Sequence, residues 1–224
     1  MFMKQSEKLL IGKKYCDRLN VESYDVIWIP DNPNIDKRLS GHADLSVFTD
    51  GRGQIFTAKH LDIPNSIKID EDQSEKYPAD VQLNAITIGN NAVICEKYVS
   101  RKIFEHLKKG KWNTINVNQG YARCSTLAVD NNSIITSDIS IFLSCINNGI
   151  DALLIKPGFI DLEGFDYGFI GGCGANINGD LLLTGHLEKH PSKNEILKFI
   201  DARNINIKYL SSDPIFDIGG ILTL

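Results

Sequence analysis

His42 and Asp44 stand two positions apart in SGHADLSVFTDGRGQIF, the stretch from Ser40 to Phe56. An imidazole moves protons near neutral pH. A carboxylate holds a planar cation such as a guanidinium through a charge-assisted, bidentate bond. The same pair also reads as the polar start of a strand, making local hydrogen bonds. Two thiols have comparable surroundings: Cys124 follows Gly120-Tyr121-Ala122-Arg123, and Cys173 follows Gly171-Gly172. A thiol beside a cation such as Arg123 gains thiolate character. Free cysteine is more often simply buried, and a small residue suits a tight Gly-Gly backbone. Arg123 can bind a carboxylate bidentately or act as a structural partner. Asp217, just ahead of Gly219-Gly220, can hold a cation or cap a turn. The candidate set is therefore His42, Asp44, Cys124 and Cys173 for chemistry, with Asp44, Arg123 and Asp217 for substrate binding.

Other chemistry has weaker support. His186 and His190 in GHLEKHP have the spacing of a metal pair on a helix. Pro191 disfavours helix at the residue before it, and no third ligand is evident, so neither a metal nor a cofactor is expected. The five cysteines, at 16, 95, 124, 145 and 173, form no CxxC pair. An odd count without such pairs argues against a disulfide framework and for a reducing, cytoplasmic setting. Net charge is −4, so no broad basic surface for nucleic acid is expected. No apolar run approaches the ~18 residues of a membrane span, and MFMKQSEKLL has no secretory apolar region.

Something must position these side chains, and the sequence repeats. DLSVFTDGRGQIFT (44–57), LNAITIGNNAVIC (83–95), CSTLAVDNNSIIT (124–136) and GCGANINGDLLLT (172–184) are each an apolar run, a turn and a second apolar run. The turns are Asp50-Gly51, Asn90-Asn91, Asn131-Asn132 and Asn178-Gly179, residue types that tolerate tight hairpin turns. Helical patterns follow three of them. Ser100 opens RKIFEHLKK, closed by Gly110; Ser137 or Asp138 opens ISIFLSCINN, closed by Gly149; Ser192 opens KNEILKFIDARN, with Glu195 completing a capping box. The strands WNTINV, DALLIK and INIKYL come next, while HLDIPNS leaves no room for a helix before SIKID. Cys95 and Cys145, in a second strand and a helix, read as core. DNPNIDKRLSG (31–41) reads as a lid or a connection, and DEDQSEKYPAD (70–80) as a solvated loop.

The unit is thus strand, strand, helix, strand, repeating every roughly 40–50 residues. FDIGGILTL starts a fifth unit and stops. The N-terminal part supplies the remainder: a helix over EKLLIGKKYCDRL, capped by Ser6 and ended by Asn20, then the strand YDVIWIP. The α/β chain reads as one domain, with units at 44–82, 83–123, 124–171, 172–219, and 220–224 joined to 1–43.

A closed ring of five ββαβ units resembles the pentein, or guanidino-group-modifying, superfamily over essentially the whole chain. A similarity to an uncharacterised bacterial family of that fold accompanies it. The superfamily includes arginine and agmatine deiminases, amidinotransferases and dimethylarginine hydrolases, and also a non-enzymatic factor that keeps ribosomal subunits apart. Its enzymes carry a His-x-Asp-x-x-Phe-like motif, similar here to His42-Ala43-Asp44 with Phe48 one place late. The resemblance implies an acid/base role for His42, guanidinium binding by Asp44, and a cysteine that attacks the guanidinium carbon. The family's cysteine lies in a C-terminal Gly-Gly segment; the matching Gly219-Gly220-Ile221-Leu222-Thr223-Leu224 has none. Cys124 and Cys173, at analogous strand starts, are the alternatives. Two readings result: a hydrolase or transferase acting on a small cationic guanidino or amidine compound in a central channel, or a non-catalytic binding module like the ribosomal factor.

Overall fold

The computed structural model describes residues 8–224. Near the N-terminus, β1 (Lys8–Gly12) runs parallel to β2 (Asp25–Ile29). Four units of one plan follow. The first holds β3 (Val47–Thr49), β4 (Ile55–Thr57) and β5 (Ser66–Lys68). The second holds β6 (Ile86–Ile88), β7 (Asn91–Ile94), helix α1 (Arg101–Lys109) and β8 (Asn113–Asn116). The third holds β9 (Thr126–Asp130), β10 (Ser133–Thr136), α2 (Ile139–Asn147) and β11 (Asp151–Leu154). The fourth holds β12 (Gly174–Ile177), β13 (Asp180–Leu183), α3 (Lys193–Asp201) and β14 (Asn206–Tyr209). In each unit the first strand pairs antiparallel with the second, and the second parallel with the third. The last strand, β15 (Leu222–Thr223), pairs antiparallel with β1, matching Leu9 to Thr223 and Leu10 to Leu222. The sheet β15-β1-β2 therefore has the same plan, built from both ends of the chain.

The helices follow from sequence. Each buries an i, i+4 pair, Ile103/Leu107, Ile141/Cys145 and Ile196/Ile200, which is the spacing of one helical face. The side chain of Asp138 accepts hydrogen bonds from the amides of Ser140 and Ile141 and caps α2. The turn at Asn178-Gly179 has positive φ at both residues.

Packing runs from sheet to sheet. Phe48 and Phe56 of the first unit meet Ala92, Ile94 and α1 of the second. Ile86, Ile88 and Val93 meet Ile134 and α2 of the third. Leu127, Val129 and Ile135 meet Leu181, Leu183 and α3 of the fourth. Ile177 and Leu182 meet Leu9 and Ile11, and on the opposite face of β1 Leu10 meets Val47 and Ile55 of the first unit.

Three expectations need correction. The helix over EKLLIGKKYCDRL does not form across the described residues: 8–12 are strand β1, and only Lys13–Arg18 turn, as a 3₁₀ helix. Ser6 lies outside the described residues. Leu9, Leu10 and Ile11 are all fully buried. Three consecutive buried side chains suit a strand covered on both faces, not one stripe of a helix. The capping box at α3 is also not made, because Ser192 provides no side-chain cap; its Oγ accepts from the Lys156 amide instead. Finally, the 70–80 loop is not wholly solvated, since Asp80 is buried and accepts from the Tyr121 hydroxyl at 2.5 Å.

Candidate functional site

The segments just ahead of the first strand of each sheet converge. His42 and Asp44 precede β3, Asn84 precedes β6, Arg123 and Cys124 precede β9, Gly171–Cys173 precede β12, and Asp217–Gly220 precede β15. Asp44 sits on a 3₁₀ turn, Ala43–Leu45, whose preceding residue is His42. That turn is tied to the C-terminal segment by the Asp44 amide, which donates to the Gly219 carbonyl at 3.2 Å. Glycine is required at two contacts. A Cβ on Gly219, at φ +72°, would fall 2.4 Å from His42 Cβ, and one on Gly172 would fall 1.8 Å from Asp217 Oδ1. The Gly-Gly segments thus let the backbone approach His42 and Asp217 closely.

Cys124 lies at the centre. Its thiol donates to Asp44 Oδ2 at 2.8 Å and accepts from Asn84 Nδ2 at 3.2 Å. Asn84 Oδ1 accepts from the amides of Arg123 (2.8 Å) and Cys124 (3.2 Å). Asn84 therefore fixes the backbone and the sulfur together. His42 Nδ1 lies 4.0 Å from Asp217 Oδ1. Asp217 accepts from the Phe169 amide (2.8 Å) and the Gly219 amide (2.9 Å), so it does cap its turn.

All of these groups are buried. Among the described residues, Asp44 Oδ1 and His42 Nε2 are buried with no hydrogen-bond partner. Burial, opposed in part by His42 and Arg123, pushes the Asp44 carboxyl up to about 6. Burial, followed by the charge of Asp44, pushes the Cys124 thiol well above its ordinary value. The sequence-based idea that Arg123 favours a Cys124 thiolate is therefore corrected, because desolvation and a neighbouring carboxylate outweigh the guanidinium.

A cavity of about 170 Å³ opens beside this cluster. His42, Cys124 and Asp217 form its polar end, and Leu39, Tyr121, Leu162, Phe165, Tyr167 and Phe169 line the rest. Leu39 belongs to the 31–41 loop and Leu162, Phe165 and Tyr167 to the segment after β11, so both loops wall the cavity. Asp44 is not among the lining residues; it stands behind the thiol. Arg123 is committed elsewhere. It donates to the carbonyls of Gly171 (2.8 Å), Ile221 (3.0 Å) and Thr126 (3.5 Å). Cys173 is fully buried in the core between the third and fourth units, its thiol donating to the Phe169 carbonyl at 3.2 Å. Of the sequence candidates, then, His42, Asp44, Cys124 and Asp217 come together around the cavity, and Cys173 does not line it.

Asn84 and Tyr121 escaped the sequence reading. The repeat itself carried a signal for Asn84, since it occupies the same pre-strand segment as Asp44 and Cys124.

Among the described residues, one group of three metal-binding side chains has converging donor atoms: His42, Asp44 and Cys124, within 4.8 Å of one another. This nitrogen, oxygen and sulfur set could hold a borderline ion such as zinc only with the thiol deprotonated. His186 and His190 do not share such a group. His186 stacks on Tyr209, and His190 Nδ1 accepts from the Ser192 amide.

The profile of the family of unknown function DUF6873 matches residues 10–222. The chain belongs to this family. No curated protein matches it. Its structure is similar to that of a dimethylarginine dimethylaminohydrolase variant carrying an S-methyl-L-thiocitrulline adduct, with a TM-score of 0.58 and 10% identity, covering 98% of this chain and 100% of the other. It is also similar to a dimethylarginine dimethylaminohydrolase variant from Pseudomonas aeruginosa complexed with citrulline, with a TM-score of 0.55 and 11% identity over the whole of both chains. At these identities the likeness is one of fold alone. Among the described residues, no helix is long and apolar enough to cross a membrane.

Proposed function

We propose that this protein is a hydrolase acting on a small guanidino or amidine cation, with Cys124 as nucleophile. The observation that carries this is one cavity whose polar end unites His42, Cys124 and Asp217, with Asp44 hydrogen-bonded to the thiol from behind. Charge supports it. Two carboxyl groups are buried at the cluster, Asp44 on the thiol and Asp217 at the cavity's polar end, and a carboxylate holds a planar cation by charge-assisted hydrogen bonds. In the same reading the five sheets form a closed ring, a reading supported by the β15–β1 pairing and by the five clusters that link each sheet to the next.

Asp217 holds the cation with its carbon facing Cys124. The approaching positive charge favours thiolate, and Asp44 takes the thiol proton across their hydrogen bond. A carboxyl raised to about 6 is a better base than an ordinary one. The sulfur bonds to the central carbon, and His42 supplies the proton with which the amine leaves. Water, giving one proton to His42 and so restoring it, then attacks the carbon; the C–S bond breaks, a urea or amide is released, the water's second proton passes to the departed amine, and Asp44 returns its proton to the sulfur. Substrate turnover with release of an amine or ammonia tests this. Cys124→Ala should abolish release while retaining binding, and Asp217→Asn should lose binding.

One observation favours the second reading, a binding module. The Cys124 thiol is held well above its ordinary value, so it is a poor nucleophile before a cation arrives. Saturable binding with no product release would select that reading.

A further inference from the structure

Resting on that reading of the site, we propose that its ligand carries no carboxylate: it is a guanidine or amidine with a short, neutral, apolar or aromatic substituent, not a free amino acid.

Beyond His42, Cys124 and Asp217, every lining residue is apolar or aromatic. Tyr121 and Phe169 lie 6.1 Å apart between ring centroids, and Tyr167 meets Phe169 edge-on at 6.3 Å. The Tyr121 hydroxyl is already held by Asp80. Among the described residues, no lysine or arginine lines this cavity.

The cations nearby are engaged. Arg38 lies over the Phe165 ring at 4.3 Å. Its guanidinium forks onto Asp36, through Nε to Oδ1 at 3.0 Å and Nη2 to Oδ2 at 2.6 Å, and its Nη1 donates to the Gly164 carbonyl at 3.0 Å. Lys14 is paired with Glu163 at 3.2 Å. Arg123 is fixed on backbone carbonyls.

Phe165 and Tyr167 form an exposed rim, 38% and 43% accessible, but an amino-acid head group deeper in, among Leu39, Tyr121, Leu162 and Phe169, would lose water from a carboxylate without gaining a cation, which is strongly unfavourable. A propyl chain or phenyl ring gains from the same burial. The volume agrees: about 170 Å³ is below the ~300–1,000 Å³ of pockets for drug-sized ligands.

The test is calorimetric titration of the full-length protein with n-propylguanidine, benzamidine and L-arginine, repeated on Asp217→Asn. The expected result is that propylguanidine or benzamidine binds at least tenfold more tightly than arginine, and that Asp217→Asn loses this binding. Arginine binding as tightly as propylguanidine overturns the inference and leaves the guanidino site standing. Binding of none of the three, or equal binding by Asp217→Asn, overturns the underlying site and the inference with it.

Discussion

The thiol of Cys124 donates to Asp44 Oδ2 at 2.8 Å, joining residues 80 positions apart in sequence. A hydrogen bond from a thiol to a carboxylate makes the sulfur neutral at rest and gives its proton a destination.

Asp44→Asn keeps the shape and removes the charge. The Asp44 carboxyl is raised in the folded protein from 3.8 to about 6, so the folded state binds this proton more tightly than the unfolded state. Its contribution to stability is full below the unfolded value of about 4 and is lost as pH rises through about 6. Wild type should therefore lose stability relative to Asp44→Asn between pH 4 and pH 7, by about 3 kcal/mol for roughly two units. Urea denaturation of both proteins at pH 4 and pH 7 checks this. The same variant should bind the cationic ligand more weakly but measurably and turn over at least 100-fold more slowly, since proton removal is typically worth ~10²–10⁴.

Cys124→Ala should eliminate turnover and leave binding within a few fold. Cys173→Ala should leave turnover intact and cost about 1 kcal/mol, the loss of one well-packed small side chain and its hydrogen bond. Parallel kinetics and thermal melts separate the two. Loss of turnover in Cys173→Ala, with an unchanged melting temperature, would reverse the assignment.

Alkylation should be ordered by access. Cys16 is partly exposed, while Cys95, Cys124, Cys145 and Cys173 are buried. Peptide mapping after iodoacetamide treatment of the native protein should find Cys16 first, Cys124 next through the cavity, and the other three protected. Benzamidine should slow labelling at Cys124 and leave Cys16 unchanged.

Deleting Ile221–Leu224 removes β15 and the carbonyl that holds Arg123 Nη2. It also strips out two buried side chains, Ile221 and Leu222. At ~1.5–3 kcal/mol for each large apolar group, the loss should reach about 3–6 kcal/mol and expose the edge of β1. An unchanged melting temperature would refute closure of the sheets into a ring.

Much of this fold was legible because its signals are local. Hairpin turns and the i, i+4 pairs of α1, α2 and α3 are set within a few residues, so the repeating strand, strand, helix, strand order could be read directly. The first strand could not, because Leu9, Leu10 and Ile11 are apolar in a row, and what decides for strand is distant: β15 and β2 pair with its edges, and Ile177 and Leu182 on one face and Val47 and Ile55 on the other cover it. The site was half legible. His42, Asp44, Cys124 and Asp217 stood out as types, but their arrangement depends on the 3₁₀ turn at Ala43–Leu45, which sets Asp44 behind the sulfur. Arg123 read as a substrate binder because its acceptors, Gly171 and Ile221, are 48 and 98 residues away.

The convergence of five pre-strand segments also governs when the site can exist during synthesis. His42 and Asp44 leave the ribosome before Cys124, and Cys124 before Asp217. Until Gly219 arrives, the Asp44 amide lacks its carbonyl partner and His42 lacks the backbone it packs against. A nascent chain therefore carries its thiol without the cavity that would direct it. The cluster is complete only when the Asp217–Gly220 segment joins it.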